Sequence, residues 1–340
     1  MKKLIAALLC LAMVASFSAC GGTEKPAETK PETEVTEQAE EKTEEKTEEK
    51  PEAEAPAEEE EPDTGDASLD NIRNQDEIGE QELMVVSFGT SFNDSRRLTI
   101  GGIEEALEKA YPDWSVRRGF TSQIIIDHVA DRDNITIDNI ETALKRAEDN
   151  GVKKLAIQPT HLMNGIEYTE LMDTLAKHSD AFEKVAVGEP LLTSDEDFKR
   201  VAQAVVDATK EFDDGKTAIV FMGHGTEAES NKVYAQMQEV LTGMGAENYF
   251  VGTVEATPSL DDVLNAVKAG EYEKVVLRPL MIVAGDHANN DMASDEEDSW
   301  KTAFTNAGYE TTCVLEGLGQ LEDIQQMFVE HAQKAIDELK

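Results

Sequence analysis

One pattern runs twice along this chain and limits the folds open to it: a short apolar run, then a helical stretch, four times in each half. In the first half the apolar runs fall at 83–88, 114–119, 153–158 and 184–187. In the second they fall near 217–222, 248–252, 273–279 and 310–315. Stretches with helical spacing fill the gaps, near 95–110, 123–131, 138–149, 167–178 and 195–210, then near 229–243, 259–269, 295–307 and 321–338. Over 95–110, for example, Leu98, Ile103, Ala106, Leu107 and Ala110 recur close to the period of a helix face. Strands that alternate with helices favour parallel pairing, because the chain must cross back over the sheet before the next strand begins. The expected fold is therefore α/β, with two duplicated Rossmann-like halves at 81–212 and 213–340. Each is a four-stranded parallel sheet flanked by helices, with a cleft between them.

The halves also match locally. Ser87-Phe-Gly-Thr90 corresponds to Gly223-His-Gly-Thr226, and Lys154-Leu-Ala-Ile-Gln-Pro159 to Lys274-Val-Val-Leu-Arg-Pro279. Gly165 and Gly285 each follow six residues after those prolines. A repeat of this length is an internal duplication rather than a solenoid.

The N-terminus reads as an address. Lys2 and Lys3 precede an apolar run from Leu4 to Phe17, too short to span a bilayer comfortably, and the run ends Phe17-Ser-Ala-Cys20-Gly-Gly. Small residues before a cysteine resemble a bacterial lipobox, with Phe17 where leucine is more usual. Residues 1–20 are expected to be a lipoprotein signal peptide and Cys20 the lipidated residue; an ordinary cleaved signal is the alternative. Either way the mature protein is exported, and the anchor makes the membrane a partner, on a periplasmic or an extracellular face. Residues 21–80 read as an acidic tether. Within it, 23–65 carry 18 acidic and five basic side chains and almost no large apolar ones, with prolines 26, 31, 51, 56 and 62 interrupting any helix.

The whole chain has a formal charge of −40, and the part beyond the tether is acidic as well. A field of that sign repels phosphate, which excludes nucleic acid as a partner and favours cations. Of three cysteines, Cys10 and Cys20 belong to the export region, leaving Cys313 in the strand-like run 310–315, where it reads as a small buried hydrophobe.

Three polar residues stand out by position. His224 follows the run 217–222, Glu255 follows 248–252, and His287 follows the run ending near 279. All three fall at carboxyl ends of expected parallel strands, where open α/β sheets bind ligands. Gly223, Gly225, Gly252 and Gly285 flank them. Two imidazoles and a carboxylate suit a borderline divalent ion such as Co²⁺, Fe²⁺, Ni²⁺ or Zn²⁺. Spacing alone leaves the other reading open: two turn histidines and a surface carboxylate.

Several motifs together resemble the anaerobic-type sirohydrochlorin cobaltochelatases. They are Ser87-Phe-Gly-Thr-Ser91, Gln158-Pro-Thr-His161 with Gly165-Ile-Glu-Tyr168, Met222-Gly-His-Gly-Thr-Glu227, Gly252-Thr-Val-Glu255 and Val283-Ala-Gly-Asp-His-Ala-Asn-Asn-Asp-Met292. The resemblance spans 82–338. It implies a class II chelatase fold and insertion of Co²⁺ into sirohydrochlorin during anaerobic cobalamin synthesis, a lyase reaction. It also implies a metal held by His224, Glu255 and His287; His224 is in addition the candidate general base, because histidine ordinarily titrates near neutrality, and no organic cofactor is expected. One departure is Ala228-Glu-Ser-Asn231, where another histidine is expected.

A tetrapyrrole rich in carboxylates must enter an acidic protein, so cations are needed near the cleft. Arg96 and Arg97, at an expected helix start, are candidate contacts, with hydrogen bonds from Ser87, Thr90 and Ser91; Arg117 and Arg118 are weaker candidates. His161 reads equally as cleft lining or turn residue, whereas His128, His178 and His331 read as structural or exposed. The rival function is an exported lipoprotein that captures metal, haem or a corrinoid for uptake. A chelatase for Fe²⁺ or Ni²⁺ stays open too, as does a homo-oligomer.

Overall fold

The computed structural model describes residues 64–340. The signal peptide, Cys20 and most of the expected tether lie outside the described residues.

Eight strands form two four-stranded sheets. The first contains β1 (Gln81–Ser87), β2 (Ser115–Phe120), β3 (Lys154–Pro159) and β4 (Lys184–Val187), in the order β2-β1-β3-β4. The second contains β5 (Thr217–Gly223), β6 (Tyr249–Thr253), β7 (Lys274–Pro279) and β8 (Glu310–Cys313), in the order β6-β5-β7-β8. Every pairing is parallel. The registers agree as well: Val86 lies opposite Pro159, and Met222 opposite Pro279. The duplication read from the motifs is thus a duplication of sheets.

The helices are α1 (Asn93–Leu98), α2 (Ile100–Ala110), α3 (Gln123–Asp133), α4 (Ile140–Asp149), α5 (Ile166–His178), α6 (Asp195–Thr209), α7 (Lys232–Gly243), α8 (Leu260–Lys268), α9 (Trp300–Asn306) and α10 (Glu322–Glu338). The single helix expected over 95–110 is two. Thr99, with φ −99° and ψ −74°, interrupts it, and its hydroxyl donates to the Ser95 carbonyl at 2.5 Å. The acidic run Asp295–Asp298 precedes α9 instead of opening it; Ser299 caps that helix by accepting from the Thr302 N–H.

Alternate residues of each strand serve opposite faces, as the two-residue period requires. Met84, Val86, Leu155 and Ile157 pack with Leu144 of α4 and Leu171 of α5. Ala218, Val220, Met222 and Leu277 pack with Val263 of α8 and Phe304 of α9. The remaining faces of both sheets share one cluster, in which Leu83, Val85 and Ala156 join Ile219, Phe221 and Val276.

Two helices cross between the halves. The C-terminal α10 packs on α2, β3 and β4 of the first sheet, and Tyr111 donates to the Val329 carbonyl at 2.6 Å. Conversely α6, which ends the first half in sequence, packs on α7, and its Thr209 hydroxyl lies 3.1 Å from the Tyr249 hydroxyl. The boundary expected at 212/213 divides the sheets but not the helical layers, which tie the described residues into one compact unit.

The expected tether is also shorter than 21–80. Residues 64–80 lie against the first half, held by a buried ion network. Asp70 contacts both Arg96 and Arg118 at 2.7 Å, Arg118 contacts Glu104 at 2.7 Å, and Arg73 reaches Glu104 at 2.9 Å. Arg96 and Arg118 are completely buried. Removing each guanidinium from water costs several kcal/mol, so the carboxylates around them are required for this packing to be tolerable.

Candidate metal centre

His224 and Glu255 are placed together by backbone alone. Beyond the ends of β5 and β6 the ladder continues: Val254 donates to the Gly223 carbonyl at 3.0 Å, and Glu255 to the His224 carbonyl at 2.9 Å. Gly225 then turns the chain away. Its φ of +89° favours glycine, and a Cβ there would stand 2.8 Å from the Ala256 nitrogen. Asn231 clasps the two loops, accepting from the Thr226 N–H at 3.0 Å and donating to the Thr257 carbonyl at 2.8 Å. Beneath them the buried Tyr234 hydroxyl accepts from the Gly225 N–H at 3.2 Å, and burial raises its pKa so that it stays a neutral phenol.

His287 arrives from the other side of β5, on the loop after β7. A single wide turn of π type, Ala288–Met292, follows it. His287 Nδ1 lies 2.8 Å from Asp291 Oδ2, and the Asn289 side chain donates to the Gly285 carbonyl at 2.8 Å. The rings of His224 and His287 meet edge to face, with centroids 4.6 Å apart and planes at 85°.

Among the described residues, His224, Glu255 and His287 each offer one ligand atom, and these atoms lie within 4.8 Å of one another. His224 Nδ1 is 2.8 Å from the Gly225 carbonyl, which can only accept, so in the neutral ring this nitrogen is the donor and Nε2 is the one with the lone pair. The Asp291 carboxylate fixes the same tautomer in His287. His224 and Glu255 are exposed and His287 is partly so, leaving the donor set open to an incoming ion.

The first half repeats the frame without the ligands. Thr121 donates to the Ser87 carbonyl at 2.9 Å and Ser122 to the Phe88 carbonyl at 3.2 Å, the same continuation of the ladder. Phe88 thus occupies the place of His224, and Ser122 that of Glu255.

Of the residues expected to touch a tetrapyrrole, three are turned inward. Ser87 is buried and accepts from the Thr160 hydroxyl at 2.7 Å. Thr90 is buried and accepts from the Phe92 N–H at 3.2 Å. Arg96 spends its guanidinium on Asp70, on Asn93 Oδ1 at 2.6 Å and on the Thr90 carbonyl at 3.3 Å, so its role is scaffold and not anion contact. Arg117 and Arg118 are buried too. Ser91 is half-buried, and Arg97 pairs with Asp94 at 3.1 Å while remaining partly exposed. His161 is buried, and burial lowers its pKa to about 4, so the ring is neutral. His178 bridges Glu148 and Glu141, and His331 lies against Asp197 and the Glu189 carbonyl, as expected of structural histidines. Cys313 is partly buried at the end of β8. Asp291 and Tyr234 do not stand out in the sequence; the i, i+4 spacing of His287 and Asp291 is the one signal there.

A family profile described as cobalt chelatase (CbiK) matches residues 81–337. The sirohydrochlorin cobaltochelatase of Salmonella typhimurium is 37% identical over 255 residues, covering 75% of this chain and 96% of the relative. The sirohydrochlorin cobaltochelatase CbiKC of Nitratidesulfovibrio vulgaris is 28% identical over 276 residues, covering 80% of this chain and 97% of that one. In structure, SirB from Bacillus subtilis, solved with Fe³⁺, superposes with a TM-score of 0.55 at 14% identity, covering 76% of this chain and 97% of SirB, which shows the shared fold. With its two parallel four-stranded sheets and a match running from β1 to the last turn of α10, the chain belongs to the cobalt chelatase (CbiK) family.

Proposed function

We propose that residues 64–340 form a sirohydrochlorin cobaltochelatase that exchanges two pyrrole protons for one Co²⁺. The observation that carries this reading is the convergence of His224, Glu255 and His287, from three separate strand ends, on one exposed point. Co²⁺ is the substrate ion. The two Nε2 lone pairs and the Glu255 carboxylate would hold it, the carboxylate lowering its net charge. As the ion passes to the macrocycle, the His224 lone pair becomes free to accept the two pyrrole protons in turn, the exposed imidazole returning each to water. Ser91 and Arg97 remain candidate contacts for the substrate's acidic side chains.

Export through residues 1–20 and lipidation at Cys20 belong to the same proposal. They are supported by Lys2-Lys3, the apolar run and Ser-Ala-Cys20. No helix among the described residues is long and apolar enough to cross a membrane, so attachment would rest on the lipid. An exported chelatase needs its tetrapyrrole and metal on the same side of that membrane.

The test is to incubate the full chain with sirohydrochlorin and, separately, Co²⁺, Fe²⁺ or Ni²⁺, following the visible spectrum of the metallated product. Several Co-products per chain support the enzyme. A plateau at one bound tetrapyrrole per chain overturns it in favour of an exported binding protein, and preference for Fe²⁺ or Ni²⁺ overturns the choice of metal.

A further inference from the structure

The loop that supplies His287 to the metal centre is held by both halves. His224 and Glu255 belong to the second half, joined by the Glu255 N–H to His224 carbonyl bond. The loop that carries His287 starts on β7 of the same half, and Ala284, Ala288 and Met292 pack into that half's core, but residues 283–285 also touch the first half. Val283 packs against the first-half cluster of Ile100, Phe120, Ile126, Val129 and Ile137. The Ala284 N–H donates to Ser95 Oγ at 3.0 Å, across 189 residues of sequence. Gly285 lies so close to Thr90 that a Cβ would meet the Thr90 hydroxyl at 2.9 Å. His287 follows two residues later.

From this we infer that Ser95 is a positioning residue for the metal site: through Ala284 it holds the His287 loop to the first half. The placement of His287 relative to His224 and Glu255 then depends in part on that contact with the first half. Ser95 suits the task because its own carbonyl is held twice, accepting from the Thr99 N–H at 2.9 Å and the Thr99 hydroxyl at 2.5 Å. Its neighbour Arg96 is locked to Asp70. The serine is thus a rigid peg on the first half, and the loop's attachment to it is a single hydrogen bond. A macrocycle that displaces the loop from Ser95 would move His287 relative to the other two ligands, loosening the ion at the moment it must be handed over. No change within the donor set itself is needed.

The inference rests on the metal-site reading, and one titration separates the two. Co²⁺ is added to the full chain without tetrapyrrole, and its visible ligand-field bands are followed for the wild type and for Ser95→Ala, Ser95→Thr, Gly285→Ala and His224→Ala. Ser95→Ala is expected to bind Co²⁺ about tenfold more weakly and with shifted bands, the scale seen when support behind a ligand is removed. Ser95→Thr, which keeps the hydroxyl, should restore both. Gly285→Ala, whose methyl wedges the loop off Thr90, should act like Ser95→Ala. Wild-type affinity and bands in both Ser95→Ala and Gly285→Ala overturn the positioning role while leaving the ligand assignment intact. Wild-type affinity and bands in His224→Ala overturn the ligand assignment itself.

Discussion

Asp291 Oδ2 sits 2.8 Å from Nδ1 of His287, one helical turn further along the chain. The carboxylate orients the ring and assigns its proton, leaving Nε2 for a metal. Asp291→Ala should therefore reduce Co²⁺ affinity or insertion by about 10–100-fold, the usual cost of removing such a partner. Asp291→Asn, whose amide oxygen can still accept from Nδ1, should lose less. Metal titration and initial insertion rates on the two variants check the order.

Gly225 is the turn that lets His224 end one loop beside the next. Gly225→Ala requires a left-handed backbone at φ +89° and sets a methyl against Ala256. It should destabilise the fold by more than ~1 kcal/mol and move His224 out of the donor set. Urea unfolding measures the first effect, and Co²⁺ titration the second.

The ion network that holds residues 64–80 to the first half makes a pH prediction. Desolvation raises the Asp70 pKa, but hydrogen bonds and charge from Arg118 and then Arg96 outweigh it, so the net value falls below the ordinary 3.8. A depressed carboxylate stabilises the folded state above its unfolded pKa, and that contribution is lost as pH falls through the lower folded value. Asp70 should thus support the fold at neutral pH and down to about pH 4, and give way below it. Asp70→Ala leaves two buried guanidinium groups short of a partner and should cost about 3–5 kcal/mol near neutrality. Acid titration of the far-UV circular dichroism, wild type against variant, tests both statements.

Elements with strong local periodicity are legible in the amino-acid sequence. All eight strands fall within two or three residues of the expected runs, and His224, Glu255 and His287 share the strand-end placement that singles them out. What the sequence hides has a common cause, which is contact between residues distant along the chain. Nothing local in Asp70 announces that it meets Arg96 and Arg118, so residues 64–80 read as tether and Arg96 as a substrate contact. The α6–α10 exchange is equally hidden, because an amphipathic helix does not record which sheet it covers. The Thr99 break and the wide turn at Ala288–Met292 arise where hydroxyl bonding and loop docking override helical spacing.

The most direct test of the metal centre is the rate of cobalt insertion into sirohydrochlorin by the full chain. It is measured over many turnovers for the wild type, His224→Ala and His287→Ala, with their melting temperatures alongside. Repeated turnover is expected of the wild type. Insertion should be abolished in both variants, while their melting temperatures stay within about 4 °C of the wild type, as suits exposed or partly exposed side chains. Near-normal insertion by either variant would contradict the assignment of these two histidines as ligands.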